Sequence, residues 1–282
     1  TTAYVNFKIG AGAGGDRLNV LYSECYYIGR DKYGNPQKGD REDHLGGFLY
    51  GETDEYITGM GEQEYEPFFF RTFRYIRVKI KTSGSPLEIS GITFRLTGYP
   101  LEIAGSFRAK DERLQKLWDI SVRTLERCMH ETFEDCPYYE QMQYTMDTSL
   151  AALYTYLISN DDRLARQALD AFSGAVMHNG LIPCIAPSKF LQVIPGFAMY
   201  FIELVYYHYM YHGDKGIITR YISMMDGILG YFARKVNEET GLVENVGYWE
   251  FVDWVQQWIH RWGAPVDPHE PVNTIYNLMY IF

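Results

Sequence analysis

Hydrophobic periodicity changes near Ala109, and this change constrains the fold more than any other feature of the chain. Before it, apolar and polar residues alternate in short runs such as 18–22, 75–80 and 90–98, which Gly- and Pro-containing turns separate. After it, apolar residues recur three and four positions apart. Alternation is typical of strands, and the longer spacing is typical of amphipathic helices. The sequence therefore predicts a β-domain followed by a separate helical domain rather than an α/β sheet.

The predicted domains are residues 1–106, an antiparallel β-sandwich, and residues 107–282, a series of helix pairs. Asp111 is a suitable N-cap for the first helix. The apolar spacing predicts helices at about 111–133, 146–159, 163–178, 196–212, 215–236, 251–262 and 272–282. Paired helices form a bundle, a solenoid or a closed toroid. No repeat of fixed period is found in the sequence, which argues against a simple solenoid.

The net charge of −10 and the pI of about 5.2 argue against nucleic acid as a partner, because phosphate binding needs a basic face. No apolar run reaches about 18 residues, so no membrane insertion is expected. The first residues lack the basic and apolar regions of a signal peptide. A periplasmic or extracellular location therefore depends on a signal peptide that precedes the chain, and without one the protein is cytoplasmic. The sequence leaves the oligomeric state open.

No motif for a cofactor or a metal ion has the structural context that it needs. Residues 10–15 match GxGxxG, but a predicted strand follows them, so no helix N-terminus is available to a pyrophosphate. The pair His130-Glu131 lacks the second histidine of a zinc-binding HExxH helix, and the four cysteines have no zinc spacing. No calcium loop of the EF-hand type is present in the sequence. We therefore expect no cofactor and assign no metal ligands, and the sequence leaves metal dependence open.

Residues 131–147 form the segment that is richest in reactive side chains. Five carboxylates lie within these 17 residues together with several aromatic residues, and no Lys or Arg is among them. Clustered carboxylates repel one another, so at least one should keep its proton to higher pH, as a general acid must. Aromatic faces beside carboxylates also suit a sugar ring. By composition alone, however, a solvated loop in which Glu134 and Asp135 cap a helix end is the more common case.

A second segment, residues 248–254, contains two tryptophans and two acids immediately before a predicted helix. This combination also suits carbohydrate binding. The alternative is a helix start, in which Asp253 lies near the helix N-terminus and Trp254 packs in the core. The segment by itself leaves both interpretations open.

At these residues the chain resembles a known family. Residues 135–141 read DCPYYEQ and are followed by Asp147, which resembles the DCPxREQ…GWxGD signature of the bacterial α-L-rhamnosidases of glycoside hydrolase family 78, which are six-hairpin glycosidases. Residues 66–75, 97–100 and 249–254 are also similar to the family, so the likeness extends over essentially the whole chain. The resemblance implies a β-sandwich followed by an (α/α)6 toroid. It also implies hydrolysis of terminal α-L-rhamnose with inversion at the anomeric centre.

The resemblance implies roles for individual residues. Glu140 matches the general acid, and Asp135 and Asp147 match acids that hold the sugar hydroxyls. The further candidates for substrate binding are Tyr139, Tyr144, Trp249, Glu250, Asp253 and Trp254. An inverting glycosidase also needs a second carboxylate as general base, about 6.5–9.5 Å from the acid. Relatives carry this base in a later Trp-Glu motif preceded by threonines, a context that Trp249-Glu250 lacks, so we expect the base outside this segment.

Several positions depart from the signature. Tyr139 replaces its Arg, Tyr144 replaces its Trp, and Met146 replaces the Gly before its Asp. Loss of the Arg removes a forked hydrogen-bond donor, and Met146 is expected to narrow the pocket. The helical region has room for about half of the toroid, which would leave apolar helix faces open to water. We therefore expect the chain to be an excerpt of a longer protein, truncated at both ends.

Two other functions are compatible with these residues. One is an exo-glycosidase for another sugar, and the other is a non-catalytic carbohydrate-binding protein on a glycosidase scaffold. All three acids of the signature are present, which favours an enzyme because binding alone needs no proton donor. The expected partner is therefore a rhamnose-containing oligosaccharide or glycoside.

Overall fold

The computed structural model describes residues 1–265 and 271–282. It divides into a β unit, Thr1–Gly98 with Pro137–Tyr139, and a helical unit, Tyr99–Cys136 with Glu140–Phe282. The sequence placed the boundary between the domains at 106/107. In the structure the last strand already ends at Leu96, and the N–H of Tyr99 donates to the carbonyl of Met129 in the helical unit (2.7 Å).

The β unit, which is described throughout, contains ten strands that pair antiparallel, as the alternating sequence predicts. They are β1 (Thr2–Ile9), β2 (Arg17–Ser23), β3 (Tyr26–Arg30), β4 (Pro36–Lys38), β5 (Phe48–Leu49), β6 (Thr53–Ile57), β7 (Gln63–Tyr65), β8 (Arg71–Thr72), β9 (Tyr75–Lys81) and β10 (Ile89–Leu96). The strand orders of the three sheets are β10-β1-β7, with β8 also on β1, then β6-β2-β9, and β4-β3-β5.

The core of the β unit lies between the two sheets whose central strands are β1 and β2. Val5 and Phe7 of β1 and Leu18 and Val20 of β2 are all fully buried in one cluster. Side chains two positions apart in a strand lie on the same face of its sheet. Each strand therefore contributes one apolar face, and the two sheets bury these faces against each other.

In the described part of the helical unit, six α-helices follow one another. They are α1 (Glu112–Arg127), α2 (Thr145–Ile158), α3 (Arg163–Ser173), α4 (Pro195–His212), α5 (Lys215–Ala233) and α6 (Thr274–Ile281). The predicted N-cap of α1 is confirmed, because the Asp111 carboxylate accepts the N–H of Arg113 (2.9 Å). Asp214 and Asn273 cap α5 and α6 in the same way.

Helix α4 lies at the centre of the helical unit, where it contacts α2, α3, α5 and α6. Apolar and aromatic residues occupy most of its circumference rather than one face, which is typical of a helix that other helices surround. Phe201 and Leu204 of α4 are fully buried and belong to the same cluster as Phe172 of α3 and Phe232 of α5. This cluster is the main core of the helical unit.

The prediction of a helix at 251–262 is wrong. The structure has a loop there with a single 3-10 turn, Ile259–Arg261. The loop closes on itself because the N–H groups of Val252 and Asp253 both donate to the carbonyl of Gly263 (2.9 and 3.2 Å). These tertiary bonds replace the helical hydrogen bonds that the apolar spacing predicted.

The other predicted helices exist with shifted ends. Three of them end early in the structure, at Arg127, Ser173 and Ala233 instead of 133, 178 and 236. The bounds of α2 and α4 lie within one residue of the predicted bounds. None of the described helices combines the length and the apolar character that crossing a membrane requires.

Gly180 and Gly213 test the packing of the helical unit, because both have left-handed φ values, +96° and +67°. A Cβ at Gly180 would lie 2.4 Å from the carbonyl oxygen of Gly227 in α5, whereas one at Gly213 would meet no described atom within 4 Å. We expect Gly213→Ala to lower the free energy of unfolding by about 1 kcal/mol through backbone strain alone. Gly180→Ala should lower it by about 3 kcal/mol, because α5 must also move. Urea denaturation measures both losses, and equal losses would contradict the close contact with α5.

Candidate active site

The helical unit contains a cavity of about 400 Å³. Four carboxylates and five aromatic rings lie around it, and no Lys or Arg is among its described lining residues. The lining residues are Asp135, Glu140, Tyr144, Met146, Asp147, Gln192, Ile194, Phe197, Trp249, Phe251, Val252, Asp253 and Trp254. The combination of acids and rings has the chemistry of a sugar-binding cleft, because hydroxyls bond to carboxylates and the CH faces of a sugar pack on aromatic rings.

A short closed loop presents Glu140 to the cavity. The N–H of Asp135 donates to the carbonyl of Met142, and the N–H of Met142 donates to Oδ1 of Asp135, both at 3.0 Å. Between them, Gln141 has a left-handed φ of 55°, and its N–H donates to the carbonyl of Cys136 (3.1 Å). The loop thus turns back immediately after Glu140 and brings Asp135 and Glu140 to the same cavity.

Tyr144 holds one oxygen of Glu140. Its phenol donates to Oε2 of Glu140 at 2.7 Å. The tyrosine itself is fixed, because it precedes α2, forms a β-bridge with Ile185 and places its ring edge-on to Phe197, with 6.3 Å between the ring centroids. An exposed carboxylate on a loop thereby acquires a defined direction, which a proton donor needs.

Asp147 has a perturbed carboxyl. It lies in the first turn of α2, and burial raises its pKa from 3.8 to about 6. Its own backbone N–H acts in the opposite direction, while the negative charges of Asp135, Glu140 and Asp253 raise the pKa further. The sequence analysis expected at least one of the clustered acids to keep its proton to higher pH, and burial gives Asp147 a pKa raised in that direction.

Aromatic rings form one wall of the cavity. The centroids of Trp249 and Phe251 are 4.8 Å apart, those of Phe251 and Trp254 are 5.2 Å apart, and Phe197 lies 5.8 Å from Phe251. The indole N–H of Trp249 donates to the carbonyl of Trp262 (2.9 Å), which fixes its ring. Trp254 remains 55% exposed. An open indole face of this kind is available for stacking with a sugar ring.

The loop that carries this wall depends on Gly263. The glycine has a φ of +76°, and a Cβ there would lie 2.4 Å from the ring of Phe251. Its carbonyl accepts the N–H groups of Val252 and Asp253, and Oδ1 of Asp253 accepts the N–H of Trp254 (2.7 Å). Close backbone approach at one glycine therefore positions both the aromatic wall and the fourth carboxylate.

Of the nine residues that the sequence analysis selected, seven line this cavity. Tyr139 and Glu250 do not line it. Tyr139 belongs to the β unit, where its hydroxyl donates to Oε1 of Glu24 (2.7 Å) and lies 3.0 Å from the hydroxyl of Tyr27. Glu250 is half-buried, and burial raises the pKa of its carboxyl. The amide of Asn273 lies 3.5 Å from Glu250 Oε2.

Several lining residues were not selected from the sequence. Gln192 is held by a pairing with Cys184, whose N–H donates to the Gln192 carbonyl (2.9 Å) and whose thiol lies 3.3 Å from the side-chain oxygen. Phe197 lies in the first turn of α4. The sequence around Gln192 and Phe197 contains no motif that indicates a binding site. Folding brings both residues to the cavity from segments that are distant in sequence from the acids. Phe251, by contrast, was visible between Trp249 and Trp254.

The comparisons with known proteins agree with this site. The family model described as bacterial alpha-L-rhamnosidase 6 hairpin glycosidase domain matches residues 102–282. An α-L-rhamnosidase of Formosa agariphila is 25% identical over 211 residues, which are 69% of this chain and 22% of that protein. The crystal structure of the family 78 rhamnosidase of Bacillus sp. GL1 matches 99% of this chain and 27% of its own, with a TM-score of 0.81 and 26% identity.

A rhamnosidase from Klebsiella oxytoca, solved with rhamnose bound, has a TM-score of 0.71 at 17% identity and is matched over 90% of this chain and 50% of its own. At that identity the likeness shows the fold alone. The chain spans about a quarter of the length of the Formosa and Bacillus relatives. The family model, however, covers well over half of the chain. The resemblance inferred from the motif is thus confirmed, and the chain belongs to the family of the bacterial α-L-rhamnosidase six-hairpin glycosidase domain.

Proposed function

We propose that this chain supplies the general-acid side of the active site of a glycoside hydrolase that removes terminal α-L-rhamnose. The observation that carries the proposal is the meeting of Asp135, Glu140 and Asp147, the three acids of the family signature, with Trp249 and Trp254 around one cavity. Family membership and the likeness to the Bacillus rhamnosidase support the choice of sugar.

The mixed lining of the cavity suits a deoxy sugar. Rhamnose carries a methyl group at C5 where most hexoses carry a hydroxymethyl group, so one edge of its ring is apolar. Met146, Ile194 and Phe197 provide apolar surface in the same cavity as the carboxylates. The carboxylates accept hydrogen bonds from the ring hydroxyls, while the apolar side chains contact the methyl group and exclude water.

In the proposed mechanism Glu140 protonates the glycosidic oxygen as the bond to the anomeric carbon breaks, so the aglycone leaves as an alcohol. Tyr144 keeps the Glu140 carboxyl in the orientation that this transfer requires. The carboxylates of Asp135, Asp147 and Asp253 stabilise the positive charge that develops on the sugar ring. Inversion belongs to the proposal as well, and it requires a second carboxylate that activates water on the opposite ring face, which we expect outside this chain segment.

Replacement of the acid tests this assignment in the full-length protein. Glu140→Gln should lower kcat for an alkyl α-L-rhamnoside by about 10²–10⁴-fold and change sugar affinity little, because the amide cannot donate the required proton. Glu131→Gln is the matched control, since Glu131 is exposed in the same segment and does not line the cavity. Proton NMR of the first-formed sugar should show β-L-rhamnose.

Each other outcome of this experiment contradicts a defined part of the proposal. Release of α-L-rhamnose contradicts inversion. Release of another sugar from a glycoside panel contradicts the substrate and leaves the acid in place. Absence of hydrolysis across the panel, with sugar binding retained, would favour the carbohydrate-binding alternative.

The raised pKa of Asp147 predicts a pH-dependent stability. Between pH 4 and 6 the folded chain holds this proton more tightly than the unfolded chain does, so stability falls as the pH rises through this range. Above pH 6 the full cost is about 3 kcal/mol, from about two units of pKa. Asp147→Asn should therefore raise the free energy of unfolding by up to that amount at pH 8 and change it little at pH 3.

Urea denaturation at the two pH values measures this gain. Asp226→Asn, an exposed acid on α5, is the control and should change stability by less than about 0.5 kcal/mol at either pH. The same Asp147→Asn variant should hydrolyse rhamnosides more slowly, because it loses the anion that faces the ring. Equal stability of wild type and Asp147→Asn at pH 8 would contradict a buried, charge-crowded Asp147.

A further inference from the structure

Two histidines occupy the last turns of α4, remote from the cavity. His208 and His212 are four residues apart, which places both imidazoles on one face of the helix. Asp162, the residue before α3, lies beside them. One ligand atom from each of the three side chains lies within 4.8 Å of the others. The sequence analysis did not single out this pair, because its partner Asp162 is 46 residues away from His208 in the sequence.

His208 is fully buried, and one of its ring nitrogens lacks a hydrogen bond. Its Nδ1 lies 3.0 Å from the hydroxyl of Tyr156, while Nε2 has no hydrogen-bond partner among the described residues. Nε2 lies 3.6 Å from Oδ2 of Asp162, which is too long for a hydrogen bond. A buried nitrogen that makes no hydrogen bond lowers the stability of the fold, so this arrangement needs an explanation.

The same separation is close to that of two ligands on one ion. Zinc bonds of about 2.0–2.1 Å at tetrahedral angles place neighbouring ligand atoms about 3.4 Å apart. Nε2 of His208 and Oδ2 of Asp162 are therefore already separated by about the distance between two ligand atoms of one zinc ion. The contact between Tyr156 and Nδ1 also fits, since a metal-bound histidine commonly donates its other ring N–H to a neighbouring oxygen.

His212 completes the set of donors. Its Nε2 is also buried and has no hydrogen-bond partner among the described residues. The ring lies 4.9 Å from the His208 ring and edge-on to Tyr156 at 4.7 Å, measured between centroids. His212 is the last residue of α4 and is only half-buried, so a small rotation of its side chain can bring it onto an ion.

Two carboxylates beside the histidines share one guanidinium. Oδ2 of Asp162 accepts Nε–H of Arg166 (2.7 Å), and Arg166 also donates to Asp214 (2.9 Å). One negative charge of these three groups therefore remains to balance a cation.

We propose that Asp162, His208 and His212 bind one divalent transition-metal ion, best matched by Zn²⁺, with solvent as the fourth ligand. Two imidazoles and one carboxylate form a donor set that suits zinc better than calcium or magnesium. The ion would join the start of α3 to the end of α4. His208 lies 11 residues after Phe197 on α4, about 16 Å along the helix axis, so the ion has a structural role apart from the acids of the cavity.

Zinc titration of the metal-free, untagged chain tests the proposal, with a chromophoric chelator as competitor. We expect one Zn²⁺ per chain and a rise in Tm of about 5 °C or more at a hundredfold excess over Kd. His212→Gln should weaken binding at least tenfold, and it should fold because His212 is half-buried at a helix end. His178→Gln, an exposed histidine outside the cluster, should bind zinc as the wild type does.

A second measurement reports the coordination itself. Co²⁺ in place of Zn²⁺ should give the intense visible absorption of a tetrahedral site, and His212→Gln should lose it while His178→Gln retains it. Absence of stoichiometric binding to the wild type overturns the proposal and leaves the cluster as a polar network around His208. Equal weakening by His212→Gln and His178→Gln, or by neither, overturns it as well, because the bound zinc would then lie elsewhere on the surface.

Discussion

The burial of α4 inside the helical unit is the constraint on which the other features depend. Helices α2, α3, α5 and α6 all contact it. Its first turn contributes Phe197 to the cavity, and its last turns carry His208 and His212. One helix, apolar over most of its circumference, therefore positions Phe197 beside the acids at one end and the two histidines at the other.

Charge crowding at the cavity lowers the stability of the fold, and the proposed hydrolysis depends on it. Four carboxylates line the cavity, and no Lys or Arg among its described lining residues neutralises them. Burial, and to a smaller extent this crowding, raises the pKa of Asp147 to about 6. Ion pairs in place of this crowding would stabilise the chain, but they would remove the titration near neutral pH and weaken the field that faces a developing cation. Stability and the proposed hydrolysis thus make opposite demands on Asp147.

The sequence predicted the acidic half of the site better than the aromatic half. Asp135, Glu140 and Asp147 lie in one short segment, so a local loop and the start of α2 suffice to bring them together. The segment at 251–262 was assigned to a helix on its apolar spacing, whereas bonds to Gly263 hold it as a loop. Tyr139 shows the same limit, because it adjoins Glu140 in sequence yet bonds to Glu24 in the β unit.

The sequence by itself determined the order of a β unit and a helical unit, most helix positions, and the family with its three signature acids. These properties reside in local periodicity and in one contiguous motif, which need no knowledge of distant contacts. Only the tertiary structure decided which carboxyl acquires the raised pKa, which rings form the wall, and that Asp162 meets His208 and His212. Burial and electrostatic coupling depend on atoms brought together from remote segments, so no local pattern of residues encodes them.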